Sequence, residues 1–251
     1  MGLETRPSSG AYARADEPHG SLAHEQLRGE DFSGLKFDNF NIWDSTLEEC
    51  KFDRIKTRVF AAAAGGKVTE FIDCTFHRAA LNLLIAGGRV RFINCSFTNA
   101  RLTDWSCESV DFIDCTFEGT SLRSIQIWGS LDEPAFGSIP EKKWTNDIRG
   151  NDFSQAKILN VEFRAGVDLT QQQLPAGPDY IYIEDIPKAL EKGHQLLPQL
   201  PEGRPQEAAA FLLERIETHY QLGQHQAFRH RLKTYPDEMW VPLREALNDT
   251  P

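Results

Sequence analysis

The sequence predicts a mainly β protein, a solenoid of stacked coils followed by a small α-helical region. The motif Phe-Ile-Asp/Asn-Cys-Thr/Ser-Phe occurs three times, at residues 71–76, 92–97 and 112–117. An apolar residue also recurs at every fifth position from Phe92 to Ile127. A period of five fits neither the α-helix, which repeats every 3.6 residues, nor the strand, which alternates every two. The pattern therefore indicates a coil built from short straight sides.

The spacing of the motif gives the size of one coil. Its copies start 21 and 20 residues apart, so four five-residue sides complete one turn. Successive turns are expected to stack at roughly 4.8 Å, the separation of hydrogen-bonded strands. Each side points its central residue and the residue two before it inward, and each coil buries them against its neighbours. The central inward residues of the main stretch are Phe71, Phe76, Phe92, Phe97, Leu102, Phe112, Phe117 and Leu122.

The units that begin at Phe32, Phe71, Phe92 and Phe153 resemble those of a known family. They read Phe-Ser-Gly-Leu-Lys, Phe-Ile-Asp-Cys-Thr, Phe-Ile-Asn-Cys-Ser and Phe-Ser-Gln-Ala-Lys. These units resemble the pentapeptide repeat, commonly written Ala-(Asp/Asn)-Leu-X-X, and the resemblance covers about 120 residues. It implies a right-handed quadrilateral β-helix. It also implies a class of function, because some members of the pentapeptide-repeat family inhibit DNA gyrase or protect it from quinolones.

Composition separates an N-terminal tail from the coils. Residues 1–28 are rich in Gly, Ser, Pro, Ala and charge, and are predicted to be a mostly disordered tail, with a short helix at 22–28 as one option. The β-helix is predicted over residues 29–172. Within it, Gly-Gly-basic-Val at 65–68 and 87–90 indicates a bulge on the same side of adjacent coils. We favour a repacked corner there over a groove for a partner.

The five-residue period stops after Ile127. Residues 129–150 include two prolines and the run Lys142, Lys143, Trp144, which is typical of a loop that leaves the solenoid. An unpatterned loop of this length is uncommon and often functional, so these three residues are candidate partner contacts. The segment also has the length of one coil, and a degenerate coil is the alternative. The period resumes at Phe153 for one more coil.

The C-terminal part changes to a helical pattern. Residues 173–183 are predicted to be a polar linker, and residues 184–251 a helical region. Amphipathic helices are expected at residues 184–197, 206–222, 224–234 and 237–247. Their apolar stripes must be buried against something. A cap over the open end of the solenoid is one solution, and a homodimer interface is the other.

Charge and hydropathy limit the partners. A net charge of −10 disfavours direct binding of nucleic acid and allows the opposite idea, that the protein imitates nucleic acid. The main coil region is nearly balanced, since residues 31–128 hold 13 acidic and 11 basic side chains. No apolar run reaches 18 residues and the N-terminus lacks a signal-peptide pattern. A soluble, cytoplasmic protein without a membrane segment is therefore expected.

No residue pattern points to catalysis, a cofactor or a metal. The five cysteines are predicted to be small buried hydrophobic residues, because three of them recur at coil spacing and no Cys-X-X-Cys pair is present. His219, His225 and His230 are spaced by six and five residues, whereas two ligands on one helix face need a spacing of four. An enzyme with its site in the C-terminal helices is therefore the least favoured hypothesis.

Two other functions are favoured over an enzyme. The favoured hypothesis is a non-catalytic scaffold that binds an unidentified protein. The alternative, implied by the resemblance, is a DNA-mimicking modulator of DNA gyrase that gives inhibition or resistance to gyrase-targeting antibiotics. The balanced charge of the coils and their length weigh against mimicry. Five continuous coils at roughly 4.8 Å span about 24 Å, the length of about seven base pairs.

Overall fold

The chain forms a parallel β-solenoid closed at one end by a small α/β cap. The computed structural model describes residues 18–62, 66–131 and 144–249. The solenoid strands are, in chain order, β1 (His19–Ala23), β2 (Gln26–Arg28), β3 (Lys36–Trp43), β4 (Thr46–Glu48), β5 (Lys56–Ala62), β6 (Thr69–Ile72), β7 (Ala80–Ala86), β8 (Val90–Ile93), β9 (Arg101–Cys107), β10 (Val110–Ile113), β11 (Ser121–Trp128), β12 (Ser130–Leu131), β13 (Trp144–Thr145), β14 (Ile148–Arg149) and β15 (Lys157–Arg164).

Parallel pairing between coils produces two long sheets. The first has seven strands in the order β1-β3-β5-β7-β9-β11-β15, and the second has six in the order β2-β4-β6-β8-β10-β14. In the second sheet, Phe71 lies beside Phe92 and Phe92 beside Phe112, as the motif spacing predicts. A third ladder consists of single bridges that run through Asp31, Lys51, Thr75, Ser96, Thr116, Asp152 and Gln173.

Each coil has four sides. The long strands of the first sheet bend at a residue in the left-handed region, such as Asp104, Ser124 or Asn160, with φ of 58°, 54° and 59°. Short polar side chains tolerate this backbone, which explains their use at the bend. In the coil of residues 100–119 we name the sides face A (100–104), face B (105–109), face C (110–114) and face D (115–119), and we use the same names for equivalent positions in other coils. Face A therefore lies opposite face C.

The interior is a continuous apolar core. All eight predicted inward residues of the main stretch are buried, each at most 3% exposed. On face D the phenylalanine rings of successive coils stack with centroids 4.4 to 5.0 Å apart, a separation favourable for offset aromatic pairs. The five cysteines are buried free thiols in the same core. The prediction of a mainly β, pentapeptide-type solenoid with C-terminal helices is confirmed.

The solenoid begins earlier than residue 29. The optional helix at 22–28 is wrong, because these residues contribute to β1 and β2, which pair with β3 and β4. Leu22 and Leu27 are buried and precede Phe32 and Phe37 at five-residue intervals. They extend the core by two sides, or half a coil, and this burial outweighs the loop-like composition of the segment. The rest of the predicted tail, residues 1–17, lies outside the described residues.

The C-terminal region contains strands that the sequence pattern did not predict. Helices α1 (Ile186–Leu196), α2 (Arg204–Gln221) and α3 (Asp237–Leu247) occupy predicted positions. The predicted linker, however, contains β16 (Tyr180–Ile183), and the predicted helix at 224–234 is wrong, because it is β17 (Ala227–His230). The two strands pair antiparallel. Their backbone groups satisfy one another, and the alternating Ile181 and Ile183 side chains are buried against the helices.

The C-terminal region packs on the last coil. Strand β17 lies against β15, and Phe228 enters the solenoid core. The buried Gln224 side chain accepts the backbone N–H of Val167 at 2.9 Å and donates to the carbonyl of the same residue at 2.9 Å. Gln226 accepts the backbone N–H of Leu169 at 2.7 Å. These contacts supply partners for backbone groups at the edge that an open coil would expose, so the region is a cap. Dimerisation through it stays a prediction.

Candidate interaction surface

All the irregular segments of the solenoid lie at one corner, where face B passes to face C. The bridge ladder reveals them, because Lys51 bridges Thr75, 24 residues on, and Thr116 bridges Asp152, 36 residues on. The extra residues fall between β5 and β6 in the first case and between β11 and β14 in the second. The short turn between β7 and β8 occupies the same corner. The predicted common position of the two Gly-Gly segments therefore holds, and the longest insertion shares it.

The segment 129–150 was predicted to be either a loop that leaves the solenoid or a degenerate coil, and it has features of both. Strands β12 and β13 pair antiparallel, so the chain leaves the coil and returns beside its point of departure. Residues 132–143 between them we call the arm. After the return, β14 pairs with β10 and supplies face C of the next coil. Lys142 and Lys143 lie outside the described residues, and for Trp144 only the backbone is described, so their role as partner contacts stays a prediction.

The base of the arm is fixed by a buried amide. Asn146, 6% exposed, donates its side-chain N–H groups to the carbonyls of Glu108 at 2.7 Å and Trp128 at 2.8 Å. Next to it, the backbone N–H of Asp147 donates to the carboxylate of Asp111 at 2.9 Å. These hydrogen bonds attach residues 146 and 147, at the base of the arm, to the neighbouring coil.

An ion-pair ladder runs along face C beside the arm. Arg91 binds Glu70 at 2.9 Å and Asp111 at 3.1 Å, as expected for side chains that alternate in charge on consecutive coils. Asp111 occupies an outward position in the five-residue period, yet its side chain is fully buried. Arg89 and the base of the arm cover it and supply the donors that a buried carboxylate requires.

Charge is sorted between opposite faces of the solenoid. On face C the outward acids outnumber the bases. The acids that reach the surface are Glu48, Glu49, Glu70, Asp73, Asp114 and Asp147, and the bases are Arg28, Arg91 and Arg149. On face A the bases outnumber the acids. The bases are Lys36, Lys56, Arg58, Arg101, Arg123 and Lys157, and the acids are Asp38 and Asp104. The near balance of the coil sequence therefore conceals one acidic and one basic face.

A second buried cluster of charge joins the cap to the last coil. The carboxylate of Glu162 on β15 contacts the guanidinium groups of Arg164 and Arg215, and His219 Nε2 lies 3.6 Å from it. The other ring nitrogen of His219, Nδ1, accepts a hydrogen bond of 2.7 Å from Arg229. Burial, together with the neighbouring arginines, lowers the pKa of His219 to about 3, so the ring is neutral at pH 7. This geometry attaches the cap to the solenoid.

The described residues contain no arrangement that suits a metal ion. No group of three or more His, Cys, Asp or Glu side chains within residues 18–62, 66–131 and 144–249 could hold one. His219 is buried at the cap interface, whereas His225 packs edge-on against Tyr220. Burial raises the pKa of the Cys95 and Cys107 thiols, which keeps them protonated and unreactive. Over the same three ranges, no helix is long and apolar enough to cross a bilayer.

The five-residue period of buried residues and the parallel stacking of coils define the fold class, a parallel β-solenoid with a C-terminal cap. Its sequence matches no protein-family description and no curated protein. Among solved structures, it is similar to full-length QnrB1, a plasmid-mediated fluoroquinolone resistance protein, with 17% sequence identity and a TM-score of 0.26. The match covers 62% of this chain and 82% of that chain.

Proposed function

We propose that this protein is a non-catalytic interaction module that binds another protein through face C and the arm beside it. The main support is the continuity of face C, where six strands pair in parallel and hold their outward side chains in straight rows. The rows are rich in carboxylates, and Glu49 and Asp114 keep 51% and 57% of their side chains exposed. A basic protein surface is the complementary partner.

The arm adds a second contact to the same side of the solenoid. The described residues at its base lie beside face C, since Asn146 binds the carbonyls of Glu108 and Trp128 and the backbone N–H of Asp147 binds Asp111. A partner that lies along face C would therefore lie close to the base of the arm. Lys142, Lys143 and Trp144 are the contacts we assign to it, since an aromatic residue flanked by cations suits a protein interface.

DNA gyrase is the specific partner we put forward as a second, narrower proposal. The repeat resembles that of gyrase-acting family members, and the carboxylates of face C suit a groove that normally holds DNA. Six coils at roughly 4.8 Å cover about 24 Å, so face C would replace about seven base pairs. Among the described residues, arginines cross-link several of these carboxylates, which leaves the face less negative than a duplex.

A supercoiling assay tests the gyrase proposal. The protein is titrated to tens of micromolar into DNA gyrase with and without a quinolone, and inhibition or protection at low micromolar protein is the expected result. The variant Glu49→Gln/Asp73→Asn/Asp114→Asn removes three exposed carboxylates from face C and should weaken the effect at least tenfold. The matched control Glu214→Gln/Glu217→Gln/Glu238→Gln removes the same charge from the cap and should leave it unchanged.

The outcomes separate the narrow proposal from the broad one. No effect of the wild-type protein would discard gyrase as partner and leave the interaction module, whose partner is then sought by cross-linking capture from lysate. A captured protein should bind wild type and the cap control equally and the face C variant weakly. Equal binding of all three proteins would show that face C is not the interaction surface.

A further inference from the structure

Face A carries two rows of basic side chains along the solenoid axis. In the first row, register places Lys36, Lys56, Ala80, Arg101, Ser121 and Lys157 beside one another on successive coils. The second row, two residues further along each strand, contains Arg58 and Arg123. All six cations are exposed. From Lys36 to Lys157 the array covers five coil steps, or about 24 Å at roughly 4.8 Å per step.

These cations have little compensating charge. Within the described part of the chain, the one carboxylate within 4.0 Å of any of them is Asp38, which lies 3.9 Å from Arg58. The remaining outward positions of face A include polar uncharged residues such as Asn82, Thr103 and Ser121, which can donate hydrogen bonds. Five of the six cations have no carboxylate within 4.0 Å among the described residues, and cations on one face repel one another, so an anionic ligand on this face would relieve that repulsion.

The array also has a concave part. Ala80 replaces the long side chain that its neighbours in the row carry, and a depression of about 400 Å³ opens between Lys56 and Arg101. Lys36, Arg58 and Asn82 also line it, together with one acidic residue, Asp38. A small floor residue between four cations lets a bulky anionic group approach the backbone closely.

We propose that face A binds the sugar-phosphate backbone of a single nucleic-acid strand. A straight, regular row of cations fits a straight polymer with regularly spaced negative charges better than it fits an isolated anion. Arginine, which supplies half of the cations, contacts phosphate through two parallel hydrogen bonds. The 24 Å array is about seven nucleotides long at 3.4 Å each. The site lies opposite face C and is independent of the interaction proposed for that face.

The net charge of −10 predicted no contact with nucleic acid, and the sorting of charge removes this objection. The carboxylates of face C project from the far side of the core, and opposite walls of a β-core are already roughly 10 Å apart before their side chains are added. The Debye length at physiological ionic strength is about 8 Å, so screening hides the acidic face from a strand on face A.

Fluorescence anisotropy of a labelled 20-nucleotide oligothymidylate tests the proposal. The full chain should bind it in the micromolar range at 50 mM salt, and affinity should fall steeply as salt is raised to 200 mM. If four to six phosphates are contacted, the plot of log K against log salt has a slope of about −3 to −4. The variant Lys56→Gln/Arg58→Gln/Arg101→Gln should bind at least tenfold more weakly and flatten the slope by about 2.

A control variant has the same net charge, but its three cations are removed from surfaces other than face A. Lys51→Gln/Lys188→Gln/Lys233→Gln removes three exposed cations from face D and the cap, and should bind like wild type. Circular dichroism of both variants verifies that each has folded. Equal binding by the two variants, absence of binding by wild type at 50 mM salt, or tighter binding of polyglutamate with the same number of charges would each overturn the proposal.

Discussion

Two nitrogens of the Arg89 guanidinium donate hydrogen bonds of 2.9 to 3.1 Å to the fully buried carboxylate of Asp111. The same carboxylate binds Arg91 of the preceding coil and the backbone N–H of Asp147, where the chain returns from the arm. A single buried charge thus connects the regular ladder of face C to the irregular corner. The contact therefore links the coil to the base of the arm at Asp147.

Asp111→Ala should destabilise the protein strongly. The substitution leaves two guanidinium groups and one backbone N–H without their acceptor, at an expected cost of about 2–4 kcal/mol in the free energy of unfolding. Glu70→Ala removes the other, more exposed partner of Arg91 and should cost less than about 1 kcal/mol. Urea unfolding measures both. Similar small losses at the two positions would show that Asp111 is not the buried centre of the network.

Replacement of a stacked core phenylalanine by alanine should lower the free energy of unfolding substantially. Phe92→Ala opens a cavity between Phe71 and Phe112 and should lower the free energy of unfolding by about 3–5 kcal/mol. Thr103→Ala changes an outward residue on face A, the opposite side of the solenoid, and its cost should stay below about 0.5 kcal/mol. Chemical denaturation compares them, and equal costs would contradict the inward register.

Leu83 occupies a backbone conformation that suits a short polar residue. Its φ is 44° and its side chain is 44% exposed, whereas the next three coils place Asp104, Ser124 and Asn160 at the equivalent bend. The left-handed region costs a branched side chain roughly 1–2 kcal/mol. Leu83→Asn should therefore stabilise the protein by about 0.5–1.5 kcal/mol in thermal or chemical unfolding.

The reciprocal change provides the control for this bend. Ser124→Leu introduces the unfavourable residue where a favourable one is present, and should destabilise by a similar amount. If both substitutions change stability in the same direction, side-chain packing rather than backbone conformation governs the position.

His219 should make the cap sensitive to acid. Its pKa is about 3 in the folded protein and about 6.5 in the unfolded chain, so below pH 6.5 the unfolded state binds the extra proton. Stability contributed by the neutral ring is complete above pH 6.5 and is lost towards pH 3, at up to about 1.4 kcal/mol per pH unit. His219→Gln keeps an acceptor for Arg229 without a titrating group.

Urea unfolding at pH 7.5 and pH 5 tests this assignment. The wild-type protein should lose more stability between the two pH values than His219→Gln, and the difference isolates His219 from the carboxylates that both proteins share. Parallel losses would place the acid-sensitive group elsewhere.

The inward set of the solenoid could be predicted from the sequence because it depends on local spacing alone. Five-residue steps locate Phe92, Phe97 and Leu102 without knowledge of any other coil. The first coil was also encoded, since Leu22 and Leu27 keep the step, but its composition resembles that of a loop. Strand β17 could not be predicted in this way, because its partner β16 is distant in the sequence and the four-residue spacing of Phe228 and Leu232 fits a helix.

The candidate surface was only partly visible in the sequence. The corner insertions were detectable as interruptions of the period, and the Glu70, Arg91, Asp111 alternation as a ladder. The burial of Asp111 could not be predicted from the sequence, because the residues that cover it come from the turn before β8 and from the base of the arm. No local pattern records such a long-range contact.

By itself, the sequence determined the five-residue period, the residues that point inward and the three C-terminal helices, since each follows from spacing along a short stretch of chain. The tertiary structure alone decided how charge is distributed. Insertions between β5 and β6 and between β11 and β14 shift the 20-residue phase, so residues that share a face are unevenly spaced in the chain. Only when the coils stack do the lysines and arginines of face A align opposite the carboxylates of face C.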